Sequence, residues 1–139
     1  MKLGESCLEL QVIGLCATAF SEIPVGDVGL ALLVDGCKDL KEIYLDYAYN
    51  VSQDAIIGLV ELRGKQLTSL SLSDCSRFVR DDLVKIVAAQ CPNLRRFAAD
   101  HCPRVTPESL RHIMNKCGKL STLVCDGFVC GVALSEVST

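Results

Sequence analysis

The chain has 139 residues, of which 50% are hydrophobic and 22% charged, and its formal net charge is −3. This composition predicts a folded domain and argues against a disordered chain. The small negative charge argues against a nucleic-acid-binding protein. The apolar runs are too short for a membrane span, and the start MKLGESC lacks the apolar core of a secretion signal.

The first unit begins after Met1–Gln11, which we interpret as the end of a preceding unit. On that interpretation the chain is either a fragment of a longer protein or docks its open end on a neighbour. Alternation of apolar and polar residues around Ile13 and Leu15 predicts a first strand. A loop containing Pro24 follows, and 27–37 has the apolar spacing of a helix.

The next two units repeat this order of strand and helix. Strands are predicted at 40–45 and 67–72, and helices at 53–63 and 81–90. Ser52 is a good N-cap for the earlier of these helices, and Gly64 is expected to end it. Arg80 replaces the usual capping threonine before the later helix.

The fourth unit, 91–117, is the most regular. Phe97 and Ala99 alternate with polar or small residues and predict a strand. Thr106 followed by Pro107 predicts a helix start, because threonine caps helices and proline is tolerated at the first helical position. Gly118 is expected to stop this helix. A last strand is predicted at 120–125, followed by an apolar tail, 127–139, that we expect to cover the end of the stack.

The chain therefore repeats one unit every 26 to 30 residues. Its first leucines are Leu10, Leu40, Leu67, Leu94 and Leu120. The buried strand pairs are predicted to be Ile13/Leu15, Ile43/Leu45, Leu70/Leu72, Phe97/Ala99 and Leu123/Cys125. The position after each strand, which we call the ladder position, holds Thr18, Ala48, Cys75, Cys102 and Phe128. Such a unit cannot bury both apolar faces alone, so copies must stack.

The pattern C-x-x-L-x-x-L-x-L-x-x-C followed by V-[ST]-x-x-x-L resembles the cysteine-containing leucine-rich repeat family, which is common in F-box substrate receptors and mitotic-exit antagonists. The match is closest at Cys91–Leu94 and Cys102–Thr106. The resemblance implies an α/β fold: a short horseshoe-shaped solenoid with parallel strands on its concave face and helices on its convex face. It covers 1–139 as a single domain of four to five repeats, the first incomplete, with 127–139 as a tail or cap.

Nine cysteines would suggest disulfides in a secreted protein, but the repeat accounts for most of them. Predicted buried thiols are Cys7, Cys37, Cys75, Cys91, Cys102, Cys117 and Cys125. Because the count is odd and no C-x-x-C pair occurs, we expect free thiols, no structural metal and a reducing intracellular compartment, either cytoplasm or nucleus. Cys16 and Cys130 lie outside the repeat positions and are candidates for accessible thiols.

Exposed strand positions of stacked repeats would form a mixed polar and aromatic surface. Tyrosine and arginine are enriched where proteins bind proteins, so we predict a docking face centred on Tyr44, Tyr47, Arg96 and His101. Its candidate residues are Glu42, Tyr44, Asp46, Tyr47, Ser71, Asp74, Arg96, Asp100, His101 and Asp126. The alternative is a solvated sheet face with no dedicated partner. Asp46, Asp100 and Asp126 recur at one strand-end position and are interpreted as a solvated turn edge.

No catalytic or cofactor motif occurs, including a P-loop, G-x-G-x-x-G, G-x-S-x-G or H-E-x-x-H. His101 and Cys102 are adjacent in an extended segment and should point to opposite faces, which argues against a nucleophilic pair. We therefore expect a non-enzyme without cofactor or metal, which binds protein partners and neither nucleic acid nor membrane. One interpretation is the substrate-recognition part of a ubiquitin-ligase adaptor. The alternative is a structural subunit of a ciliary, mitochondrial or ribosomal particle.

Overall fold

Strands and helices alternate along the computed structural model, which describes residues 11–14, 26–47, 51–75, 79–125 and 128–130, the last three by backbone alone. The strands are β1 (Val12–Gly14), β2 (Glu42–Tyr44), β3 (Ser69–Ser71), β4 (Arg96–Ala98), β5 (Thr122–Cys125) and β6 (Phe128–Cys130). The helices are α1 (Asp27–Gly36), α2 (Gln53–Arg63), α3 (Asp81–Gln90) and α4 (Pro107–Lys116). The four predicted helices are confirmed within a residue or two of their expected ends.

The strands form one sheet in chain order from β1 to β6. The first five are parallel, and equivalent residues lie side by side across them. One such row is Ile13, Ile43, Leu70, Phe97 and Leu123. The sequence repeat is therefore also the repeat of the sheet, and the alternating order fits a leucine-rich-repeat-like α/β fold.

One apolar core joins the sheet to the helices. The predicted strand residues from Ile43 to Cys125 are all buried in it, as is Ile13, while Leu15 lies outside the described residues. The helices add Leu30, Leu33, Ile56, Leu59, Leu83 and Ile113. Ile86 and Leu110 pack against this core and are partly buried. Successive side chains of a strand point to opposite faces of the sheet. The core covers one face, and we call the opposite face the strand face.

The ladder cysteines connect neighbouring repeats through their thiols. Cys75 and Cys102 are buried, as predicted. The Cys75 thiol donates to the carbonyl oxygen of Leu45 at 3.1 Å, and the Cys102 thiol donates to that of Leu72 at 3.4 Å. Each thiol thereby meets a buried carbonyl of the preceding repeat, which would be costly without a donor.

The cysteines that follow the helices are buried as well. The thiol of Cys117 donates to the carbonyl oxygen of Cys91 at 3.2 Å. Burial, with the neighbouring Cys117 as a second cause, raises the pKa of Cys91 to about 12, and burial raises that of Cys117 to about 11. These thiols stay protonated and unreactive near neutral pH. Cys37, Cys75, Cys102 and Cys125 are also buried, whereas Cys7 and Cys16 and the side chain of Cys130 lie outside the described residues.

Two helix starts are tied to the preceding helix by an aspartate. Asp27, the first residue of α1, accepts from the backbone N–H of Ser52 at 2.7 Å and from its hydroxyl at 2.6 Å. Asp81, the first residue of α3, makes the same two contacts with Thr106 at 2.7 and 2.6 Å. Ser52 also caps α2 as predicted, by accepting from the N–H of Ala55.

The role predicted for Thr106 is only half right. It stands at the N-cap position before Pro107 and donates its hydroxyl to Asp81, but its side chain accepts no capping hydrogen bond. Burial works to raise the pKa of Asp81, yet the hydrogen bonds from Thr106 outweigh it and hold that pKa below its ordinary value. Asp81 of α3 therefore satisfies the backbone N–H and the hydroxyl of Thr106 and ties the start of α4 to α3.

The last strand was not anticipated. β6 pairs antiparallel with β5, so the segment after 127 begins by extending the sheet. The ladder position assigned to Phe128 thus falls on a strand. Residues 131–139 lie outside the described part of the chain, so the rest of the predicted cap remains a prediction.

Candidate protein-binding surface

Strand register brings the predicted docking residues together on the strand face. Glu42 aligns with Ser69 and Arg96, and Tyr44 aligns with Ser71 and Ala98. Neighbouring parallel strands lie about 4.8 Å apart, so residues far apart in the sequence become adjacent.

The exposure of this surface differs from the prediction in its central strand. Arg96 and His101 are exposed, and Tyr47 is 43% exposed. The side chains of Glu42, Tyr44, Asp46, Asp74 and Asp100 are half-buried. The expectation that Ser71 is exposed is wrong, since Ser71 is buried, as are Ser69 and Ala98 beside it. The hydroxyls of Ser69 and Ser71 are bonded to Tyr44 and Asp46 of the preceding repeat, which restricts their access to solvent.

Tyr44 stands at the centre of a hydrogen-bonded group. Its hydroxyl donates to Oε1 of Glu42 at 2.8 Å and accepts from the hydroxyl of Ser69 at 3.3 Å. These bonds hold the aromatic ring in one orientation on the face. A ring held in place before binding loses less conformational entropy when a partner arrives.

Asp46 is bonded to the next repeat and does not form the solvated turn edge that was predicted. Its Oδ1 accepts a short hydrogen bond from the hydroxyl of Ser71 and another from the N–H of Ser73 at 3.0 Å. The hydroxyl of Ser73 in turn accepts from the N–H of Asp100 at 3.1 Å. The carboxylate of Asp46 is therefore linked through Ser73 to the backbone of Asp100, while Asp126 lies outside the described residues.

The turns after β2, β3 and β4 share a backbone conformation that sequence reasoning missed. Tyr47, Asp74 and His101 have φ values of 59°, 60° and 57°, in the left-handed region. Asp and His tolerate this region better than most residues, whereas a bulky residue such as tyrosine is uncommon there. The repeat places Gly127 at the corresponding position of the next unit. Because glycine adopts positive φ readily, this glycine could have indicated a left-handed turn in each unit.

The edge formed by these turns is acidic around one histidine. The His101 Nδ1 atom lies 3.4 Å from Oδ1 of Asp74 and 3.7 Å from Oδ2 of Asp100. Cys102 is buried and directed to Leu72, so it does not pair with His101 as a nucleophile. Within the described residues, no group of three or more His, Cys, Asp or Glu side chains is arranged to hold a metal ion. The surface offers an exposed arginine, an oriented tyrosine and a carboxylate-lined edge.

Comparison with known proteins gives a partial match. No protein-family model matches the chain. It is 27% identical over 97 residues to F-box/LRR-repeat protein 4 of Bos taurus. The match covers 68% of this chain and 16% of that protein. The likeness points to a leucine-rich-repeat type of protein, and the relative's name describes repeats and an F-box without naming a catalytic activity.

The described helices are short, at ten or eleven residues each. Among those that the structure describes, none is long and apolar enough to cross a membrane.

Proposed function

We propose that this chain is a non-catalytic protein-interaction module of the cysteine-containing leucine-rich repeat type. Its strands would line the concave face of a short solenoid, and a protein partner would bind there. The observation that carries the proposal is the register that places Tyr44 of β2 and Arg96 of β4 on one face of the sheet, with β3 between them. Tyrosine and arginine are the side chains most often found at the energetic centre of protein interfaces.

The structure supports a mixed partner chemistry. Arg96 is exposed on β4, and the carboxylates of Asp74 and Asp100 flank His101 at the strand ends. A partner segment would therefore present an acidic group toward β4 and a basic group toward the turns. Opposite charges placed in this way fix the orientation of a bound segment more than they raise its affinity.

We further propose that the module recognises substrates for a ubiquitin-ligase adaptor. The resemblance to an F-box/LRR-repeat protein supports this role. The proposed compartment is intracellular and reducing, supported by the six cysteine side chains that are buried in the repeat core of the described residues. A second candidate is a structural subunit of a larger particle. It is favoured by the exposure of Val28 and Leu62 on the helix side, where a neighbour would cover them.

The test is affinity capture of the tagged protein from cell lysate, compared among variants and followed by mass spectrometry. Tyr44→Ala and Arg96→Ala should each lose the specific partner, and truncation at an interface centre weakens binding by at least about fivefold. Arg111→Ala, an exposed arginine on α4, is the matched control and should retain it. If the two strand-face variants retain every protein that the wild type retains, the strand face is not the docking surface.

The identity of the retained proteins separates the two roles. An F-box adaptor subunit, a cullin or a ubiquitinated client would support substrate recognition. A stoichiometric set of structural proteins, unaffected by Arg96→Ala, would support the particle subunit instead.

A further inference from the structure

We propose that the groove between α1 and α2 is a second docking site, which binds a partner segment carrying an apolar side chain next to a lysine or arginine. The groove has a volume of about 490 Å³. It lies on the helix side of the sheet, away from the strand face, so the inference holds for either candidate function.

The two ends of the groove are closed by hydrogen bonds. At one end Asp27 accepts from Ser52. At the other end the Arg63 guanidinium donates to the carbonyl oxygens of Val34 at 3.0 Å and Asp35 at 3.2 Å. The helices are therefore held apart at a fixed spacing, and the groove between them is preformed.

Small residues keep the middle of the groove open. Ala31, Ala55 and Gly58 line it. Gly58 lies inside α2, where glycine destabilises a helix by about 1 kcal/mol relative to alanine. No packing contact requires the glycine, because a Cβ built there would meet nothing within 4 Å. Its effect in this structure is to leave the groove empty.

Comparison with the α3–α4 pair shows that the groove is open because of the small residues Ala31 and Gly58. In α3 and α4, two repeats later, the places of Ala31 and Gly58 are taken by Lys85 and His112. Lys85 reaches across to Glu108 of α4, with Nζ 3.9 Å from Oε1. The same architecture is thus bridged by a charged side chain in one pair and left open and apolar in the other.

The lining indicates the chemistry of the occupant. Leu62 lines the groove and is 54% exposed, and Leu30, Val34 and Leu59 add further apolar lining. An apolar outer helix surface of this kind usually marks a contact site. Asp27 and Asp54 line the groove near the starts of the helices, and Arg63 stands at the far end. Charge complementarity then places a basic residue of the bound segment toward the two aspartates.

The experiment uses the full chain and a random peptide library displayed on phage. Peptides are selected on the wild type and counter-selected on Ala31→Lys/Gly58→His, which introduces the residues that the α3–α4 pair already carries. We expect enriched peptides with an apolar residue flanked on one side by lysine or arginine. They should bind the double variant at least about tenfold more weakly, which corresponds to about 1.4 kcal/mol. Binding should shift the methyl NMR signals of Ala31, Ala55 and Leu62.

Controls separate loss of binding from loss of folding. The double variant should retain the far-UV circular dichroism of the wild type, and Gly58→Ala supplies a milder filling that should weaken binding less. Lys116→Ala, an exposed change on α4, should leave binding unchanged. Enrichment of acidic peptides, absence of any groove-dependent peptide, or a dimer in sedimentation that the double variant dissociates would each overturn the proposal, the last in favour of a second copy of this chain.

Discussion

The helix layer contains two pairs that share their framework and differ in what fills it. In the α1–α2 pair Asp27 holds Ser52, and in the α3–α4 pair Asp81 holds Thr106, with matching distances. The repeat therefore conserves its structural ties between the two pairs. The residues between those ties are under no such constraint.

Those intervening residues give the two pairs different surfaces. The outer positions of α4 carry Glu108, Arg111 and Lys116, all exposed. In α2 the positions of Glu108 and Lys116 are held by Asp54 and Leu62. One pair is thus a charged, solvated surface and the other an apolar groove with an acidic end. The comparison teaches that a repeat can vary its outer surface freely once its hydrogen-bonded framework is complete.

The largest effect is expected at Gly64, where the two pairs meet. A Cβ on this residue would collide with the backbone carbonyl oxygens of Val60 and Gln90, on α2 and α3. Gly64→Ala should lower the free energy of unfolding by about 2 kcal/mol, as other overpacked sites do. Urea denaturation measures it through the midpoint. Gly118→Ala is the control, because the space there is open, and an equal loss in both variants would contradict the explanation.

The next effect tests the shared framework. Asp81→Asn removes the charge that accepts two hydrogen bonds from Thr106 and should cost about 1 kcal/mol of unfolding free energy. Thr106→Val removes one of the two donors and should cost less. A double-mutant cycle of these changes should show coupling. Additive effects would mean that the aspartate does not stabilise the fold through Thr106.

The same aspartate makes a pH prediction. Its pKa is lower in the folded protein than in an unfolded chain, because the hydrogen bonds from Thr106 favour the charged form. Its contribution is complete above the ordinary aspartate pKa of about 3.9 and is lost as the pH falls through the lower folded value. The stability difference between wild type and Asp81→Asn, measured by thermal unfolding, should therefore shrink below about pH 4. A difference that grows on acidification would have the wrong sign.

A smaller effect of opposite sign is expected at Gly58. Gly58→Ala should stabilise the protein by about 0.5–1 kcal/mol, because the helix gains a better helix former and the added methyl meets open space. Thermal unfolding should show a higher Tm. The same Gly→Ala change should therefore stabilise the protein at Gly58, where space is open, and destabilise it at Gly64, where the backbone is in the way. A destabilised Gly58→Ala variant would mean that the groove is not open.

The smallest effect is expected at the bridge of the charged pair. Lys85→Ala removes an ion pair whose two side chains are 48% and 80% exposed, so it should cost about 0.3 kcal/mol. The loss should decrease further at high salt. A loss of more than about 1 kcal/mol would show that Lys85 packs as a structural bridge between α3 and α4.

Much of the fold could be predicted from the sequence, because apolar spacing directly reports which face of each element is buried. The paired strand residues that the structure describes, the ladder cysteines Cys75 and Cys102, and the starts of α2 and α3 were predicted correctly. The candidate site was predicted less well. The register places Glu42, Tyr44 and Arg96 on one face as expected, but alternation alone could not show that Ser69 and Ser71 are bonded to Tyr44 and Asp46 and buried.

By itself, the sequence determined the repeat, the strand cores and the positions of the buried thiols, since each follows from local periodicity. Only the tertiary structure decided which polar groups pair across repeats. The bonds from Asp27 to Ser52, from Asp81 to Thr106 and from Asp46 to Ser71 join residues about one repeat apart. The left-handed turns and the α1–α2 groove were likewise decided only by the tertiary structure. They depend on distances between neighbouring repeats, and a linear pattern of residue types does not contain those distances.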